Sequence, residues 1–136
     1  MTEISRQGYR GYITSRPFFG ERAPQHVQNL VIRDYCARRA LHYLLSATEY
    51  AMAGSAMMLE AVLDELPRLD GIVLYSIFLL PTHPDKRRAI YERTFVAGCS
   101  LHGAVEDFPI YTEDDARRVE DLWLVRQFVD RVRKEG

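Results

Sequence analysis

The feature that most constrains the fold is the run Gly71-Ile72-Val73-Leu74-Tyr75-Ser76-Ile77, almost continuously apolar and too short for a helix. A strand with no polar alternation has no face to offer water, so it belongs in the middle of a parallel sheet covered by helices on both sides. Around it, other β-rich runs alternate with helical patterns along the whole chain.

Tyr9 to Thr14 reads as a first strand, and Pro24 then opens a helix whose apolar positions Val27, Leu30, Val31 and Tyr35 recur at helical spacing. His42 to Ser46 reads as the second strand. After Gly54-Ser55, the residues Leu59, Val62, Leu63 and Leu66 form an i, i+3, i+4, i+7 stripe that Pro67 stops. Pro84 and Asp85 start a third helix with Gly98 at its C′ position, and Ser100 to Val105 supplies a fourth strand. Thr112 and Asp115 resemble a capping box with Asp in place of Glu, opening a last helix over about 113–134 that carries Val119, Leu122, Trp123, Val125, Phe128, Val129 and Val132. Strands joined through helices require right-handed crossovers. The expected fold is therefore one α/β domain over 1–136, a three-layer sandwich whose four-stranded, mainly parallel sheet has the order 2-1-3-4. The last helix is apolar over more than one narrow stripe, which suggests a homo-oligomer.

A chain of 136 residues buries about two thirds of its unfolded surface and needs neither disulfides nor a structural metal. Its formal charge of −1 argues against a dedicated nucleic-acid binder. Cys36 and Cys99 form no paired or metal-ligand pattern, and His26, His42, His83 and His102 show no metal-ligand spacing. With no signal-like N-terminus and no run of apolar residues long enough to span a membrane, the expected location is the cytoplasm. Lys86-Arg87-Arg88 reads as a solvated face, and Met52, Met57 and Met58 as core filler.

In open α/β sheets ligands bind beyond the carboxyl ends of the strands, where the strand order reverses. With strands one and three adjacent, that edge receives Ser15, Arg16, Arg22, Gln25, Gln28 and Arg33 after strand one. Ser46, Thr48, Glu49 and Tyr50 come after strand two, Ser76 after strand three, and His102 and Glu106 in and after strand four. Such a set can hold an acidic small molecule, with Arg16 and Arg33 on the anion, Gln25 and Gln28 on hydroxyls, and Glu49 with Glu106 as acid and base. Ser15 would orient the substrate or act as a nucleophile. Gly8-Tyr9-Arg10-Gly11 precedes strand one, so it is no dinucleotide fingerprint, and no phosphate-loop motif occurs; neither a cofactor nor a metal is expected.

Two resemblances follow from these residues. A G-Y-I strand followed by a serine and an arginine, Gln25-x-x-Gln28, an acidic residue after strand two, the D-x-I-V-x-Y-S strand at Asp70 to Ser76 and a final strand ending in Glu106 resemble the catalytic domain of resolvase-type serine recombinases, over roughly Gly8 to Pro109. In that pattern the arginine precedes the serine, whereas here it follows, and the expected arginine pair after strand three is replaced by Phe78-Leu79-Leu80-Pro81. A phosphoserine mechanism needs those guanidinium groups to offset transition-state charge, and no helix-turn-helix domain follows the last helix, so strand cleavage and DNA binding are not expected.

The closer resemblance is to a little-described family of short proteins from sporadic bacterial gene clusters for carbohydrate biosynthesis. It rests on Tyr9-Arg10-Gly11-Tyr12-Ile13, Ser15-Arg16-Pro17, the segment from Pro24 to Cys36, the segment from Leu44 to Met52, and Asp70-Gly71-Ile72-Val73. The resemblance implies a role in making surface polysaccharide or a sugar-containing natural product. Together with the site it suggests a small enzyme that isomerises, epimerises or eliminates from a sugar phosphate or sugar nucleotide. The alternatives are a noncatalytic sugar-binding or assembly subunit and, further off, a DNA-acting recombinase relative.

Overall fold

The structure, a computed structural model, describes residues 6–20, 22–50 and 57–135. Met52, Gly54 and Ser55 lie outside them. Four strands are mutually parallel: β1 (Tyr9–Thr14), β2 (Tyr43–Glu49), β3 (Gly71–Leu74) and β4 (Ser100–Gly103). A fifth, β5 (Phe108–Ile110), pairs antiparallel with β4 and completes the order β2-β1-β3-β4-β5. The expected order is thus observed with one strand added at the edge. Pro109 sits inside β5, and a proline cannot donate to a ladder, which removes the strand's sequence signal while leaving it tolerable at an edge.

The helices are α1 (Gln25–Arg38), α2 (Met57–Asp64), α3 (Pro84–Val96) and α4 (Glu113–Glu135). Alternate residues of each strand point to opposite faces, and both are dry. Ile13 and Val73 pack with Ile32, Tyr35 and Cys36 of α1 on one side. Tyr12, Ile72, Leu74 and Leu101 pack on the other with Leu59 and Leu63 of α2, Ile90 of α3 and Trp123 of α4. Both cysteines are free and buried, and burial pushes the Cys36 thiol up to about 11.

The helix ends follow local chemistry. Pro84 occupies the first turn of α3, and Gly98 follows its C-cap at φ 73°, a conformation that favours glycine. The Thr112 hydroxyl accepts the Asp115 N–H at 3.2 Å while Asp115 accepts the Thr112 N–H at 3.1 Å, so both arms of the box close.

Three boundaries shift. β2 runs on to Glu49, which places Ser46 in mid-strand; β3 stops at Leu74, and Ser76 then caps a 3-10 turn over Ile77–Leu79 by accepting the Phe78 N–H. β4 stops at Gly103 ahead of the turn into β5.

Arg87 corrects the reading of its basic run as a solvated face. It is 2% exposed and donates twice, each at 2.8 Å, to Glu120 of α4, and to the carbonyls of Pro81 and Thr82. Its guanidinium lies 4.2 Å from the Trp123 ring centroid, and Tyr91 donates to the same carboxylate at 2.7 Å. Burial raises the Glu120 carboxyl, but the Arg87 and Tyr91 hydrogen bonds outweigh it and hold the group below its ordinary value. Met57 is likewise no core filler, being exposed at the start of α2.

Candidate functional site

The strand order reverses between β1 and β3, and the segments leaving their carboxyl ends form the candidate site. Ser15 continues the β1–β2 ladder, its N–H donating to the Glu49 carbonyl at 2.9 Å and its hydroxyl to the same oxygen at 3.2 Å. The Arg16 N–H turns back onto the Thr14 hydroxyl at 3.1 Å. Ser15 and Arg16 are both half-buried. Arg22 and Gln25 are exposed where the chain enters α1, whose first turn has neither a side-chain cap nor an acidic residue. That turn therefore keeps N–H groups and a positive dipole end directed at the sheet edge.

Across the crevice, Glu106 is half-buried and held from two directions. The Ser76 hydroxyl donates to one carboxylate oxygen at 2.7 Å and the Ile77 N–H to the other at 2.9 Å. This seat exists because residue 103 is glycine: a Cβ there would lie 2.7 Å from the Glu106 Oε1 and 2.5 Å from the Ile77 Cγ2. Tyr50, after β2, is exposed.

Five predicted site residues have other surroundings. Gln28 is 1% exposed; its amide accepts the Thr14 N–H at 3.0 Å and donates to the carbonyls of Thr14 at 2.7 Å and Ala23 at 2.8 Å. It ties the end of β1 to the entry of α1 and leaves no hydroxyl to orient. Glu49 is 1% exposed, accepting from the Tyr12 hydroxyl at 2.9 Å and from the Met58 and Leu59 N–H groups at 3.3 Å. It anchors the N-terminus of α2, where the helix dipole favours a carboxylate. Burial, with Glu49 alongside, raises the Tyr12 phenol well above its ordinary value, so Tyr12 remains a donor.

His102 is fully buried on the α1 side of β4, with Nδ1 2.6 Å from the Tyr35 hydroxyl and Nε2 2.8 Å from that of Ser100. Burial, aided by the Arg39 charge, pushes its pKa down to about 4. Ser46 bonds the Tyr43 hydroxyl at 2.8 Å from mid-strand. Arg33 lies eight residues beyond Gln25, about 12 Å along α1. Its guanidinium stands 5.6 Å from the ring centroid of Tyr43, at the opposite end of β2 from the site. The anion role predicted for it is therefore withdrawn.

An aromatic layer beneath the β1 loop had no place in the sequence reading. Phe18 meets Tyr75 with ring centroids 6.1 Å apart, and Phe19, at φ 49°, packs edge-on to Phe78 and Trp123. Arg126 of α4 stacks over Phe19 and Phe78. The signal available was Phe18-Phe19 immediately after Ser15-Arg16-Pro17. A separate open groove of about 690 Å³ lies between α2 and α3. Leu59, Leu63 and Ile90 line it, and Arg93 at its rim pairs with Glu60 and Asp64. No predicted site residue borders it.

No protein-family model and no curated protein matches the sequence. Among solved structures, the N-terminal catalytic domain of TP901-1 integrase superposes with a TM-score of 0.63 and 11% sequence identity, covering 90% of this chain and 98% of that domain. The fold is similar to that of a serine recombinase catalytic domain. At such identity the likeness concerns the recombinase-like fold alone, and the residues at the strand ends must speak for the chemistry. Among the described residues, no helix is long and apolar enough to cross a membrane.

Proposed function

We propose that this protein is a small enzyme of bacterial carbohydrate biosynthesis that binds a sugar phosphate or sugar nucleotide between the ends of β1 and β3 and isomerises, epimerises or eliminates from it. One observation carries this reading. Arg16, Arg22 and the uncapped first turn of α1 gather positive potential at the same sheet edge at which Glu106 is held by Ser76 and the Ile77 N–H. The anion is held on the β1 side, Gln25 orients a hydroxyl, and Glu106 exchanges a proton on the β3 side. Glu49 serves the fold, so the proposed acid–base pair reduces to Glu106 working with the Ser76 hydroxyl.

A noncatalytic sugar-binding subunit is the second reading, favoured by the structural engagement of Glu49, Gln28 and His102. Proton NMR of purified protein with pooled sugar phosphates and sugar nucleotides separates the two. The enzyme reading expects new anomeric signals with the wild type, lowered at least 100-fold in rate by Glu106→Gln, the smaller end of what a positioned acid or base contributes. An unchanged spectrum alongside ligand binding supports the subunit instead.

A further inference from the structure

Glu106 sits on the turn between β4 and β5, which the Asp107 N–H closes by donating to the Ala104 carbonyl at 3.1 Å. The first half of the turn is tied to β3, the Ala104 and Val105 N–H groups donating to the carbonyls of Leu74 and Tyr75, each at 2.9 Å. The second half ends on Asp107 at φ 54°, a conformation in which glycine is the usual residue and aspartate one of the few tolerated alternatives. Its side chain is held from outside the turn. Oδ1 accepts from Arg39 at 3.1 Å and from Arg38 at 3.4 Å, and Arg39 also donates to the Asp107 carbonyl at 3.3 Å.

Arg39 is itself fixed in place. Its guanidinium lies 4.7 Å from the Tyr35 ring centroid, and the Tyr35 hydroxyl bonds His102 of β4. The Arg39 Nε is buried with no hydrogen-bond partner among the described residues, and Asp107 is the carboxylate that answers its charge. α1 therefore serves the site at both ends: its first turn lies on the anion side, and its C-terminal arginines grip the turn that carries Glu106.

We propose that Asp107 is a positioning residue: pinned to Arg38 and Arg39, it fixes the end of the turn so that the preceding Glu106 carboxylate stays on the Ser76 hydroxyl and the Ile77 N–H. The proposal rests on the reading of Glu106 as the acid–base group, and Asp107 acts through Glu106 alone.

Hydrogen exchange of the ligand-free protein, followed by NMR in the wild type, Asp107→Gly and Asp107→Asn, tests the positioning separately from the chemistry. Glycine keeps the left-handed turn and deletes the clamp, whereas asparagine keeps the conformation and a neutral acceptor. Asp107→Gly is expected to lower protection of the Ile77 amide about tenfold and to leave that of Val73 in β3 unchanged, while Asp107→Asn keeps most of it. With any of the pooled sugar phosphates and sugar nucleotides that the wild type turns over, Asp107→Gly is expected to lower kcat about tenfold or more at unchanged KM. Unchanged Ile77 protection overturns the proposal, as does an equal loss at Val73, which marks general loosening, or a wild-type kcat. Selective loss at Ile77 in a protein whose wild type turns over none of the pool supports the seat and refutes instead the acid–base reading of Glu106.

Discussion

Glu120→Ala is expected to destabilise the protein by about 3–5 kcal/mol, the cost of stranding one member of a buried ion pair. Arg87, at 2% exposure, cannot turn to solvent, and its remaining carbonyl acceptors do not neutralise a guanidinium. Tyr91 loses its acceptor in the same variant. Because this network joins α3 to α4 beside Trp123, the loss extends to the seating of α4. Urea denaturation of the wild type, Glu120→Ala and the double variant Arg87→Met/Glu120→Leu checks it. The double variant should recover part of the stability, since a packed apolar pair of similar volume avoids the desolvation cost while the buried Tyr91 hydroxyl still lacks its acceptor. A loss below 1 kcal/mol for Glu120→Ala would place the pair among surface bridges of small effect.

The second large effect is on pH dependence and arises at His102. Its pKa in the folded protein is about 4, against an ordinary 6.5. Between these values the unfolded chain binds a proton that the folded chain excludes, so stability rises with pH across that window. The contribution is complete above about pH 6.5 and lost as pH falls toward 4, amounting to about 3 kcal/mol at 1.36 kcal/mol per pKa unit. The lowered Glu120 carboxyl also favours the folded state at higher pH, so the variant His102→Asn isolates the imidazole. The difference in unfolding free energy between wild type and variant should narrow as pH falls from 6.5 to 4. A constant difference would show that His102 titrates normally.

The sequence disclosed the architecture more fully than the site, for a physical reason. Helical stripes such as Leu59, Val62 and Leu63, and an apolar strand such as Ile72 to Leu74, report burial through periodicity, and periodicity survives without knowledge of neighbours. Right-handed crossovers then left few strand orders. β5 escaped because Pro109 mimics a loop and because Phe-Pro-Ile is too short to show a period.

Polar residues carry no comparable signal. Gln28 and His102 lie on the expected elements and Glu49 on a strand that runs past its expected end, yet in a sheet covered on both faces a polar side chain in or beside a strand is commonly a satisfied interior group. Whether Gln28 faces a ligand or the Thr14 backbone depends on where β1 ends relative to α1, a tertiary fact. Arg87 was hidden likewise, since its flanks Lys86 and Arg88 are exposed and composition alone does not mark the middle member as the one turned inward. Ser15, Arg16, Arg22, Ser76 and Glu106 stay at the strand ends because they fall in loops whose position the strand order alone determines, and Gln25 stays there as the first residue of α1.

The central claim, an acidic sugar held between the ends of β1 and β3, is tested most directly by titrating ¹⁵N-labelled protein with glucose 1-phosphate and with UDP-glucose while following backbone amides. The account predicts saturable shifts of Ser15, Arg16, Gln25 and Ile77 with at least one of the two probes. It also predicts a loss of about 1.5–3 kcal/mol of binding free energy in Arg16→Ala, the range for a hydrogen bond to a charged group. Saturable shifts confined to the α2–α3 groove around Ile90 and Arg93, or an affinity unaffected by Arg16→Ala, would contradict it.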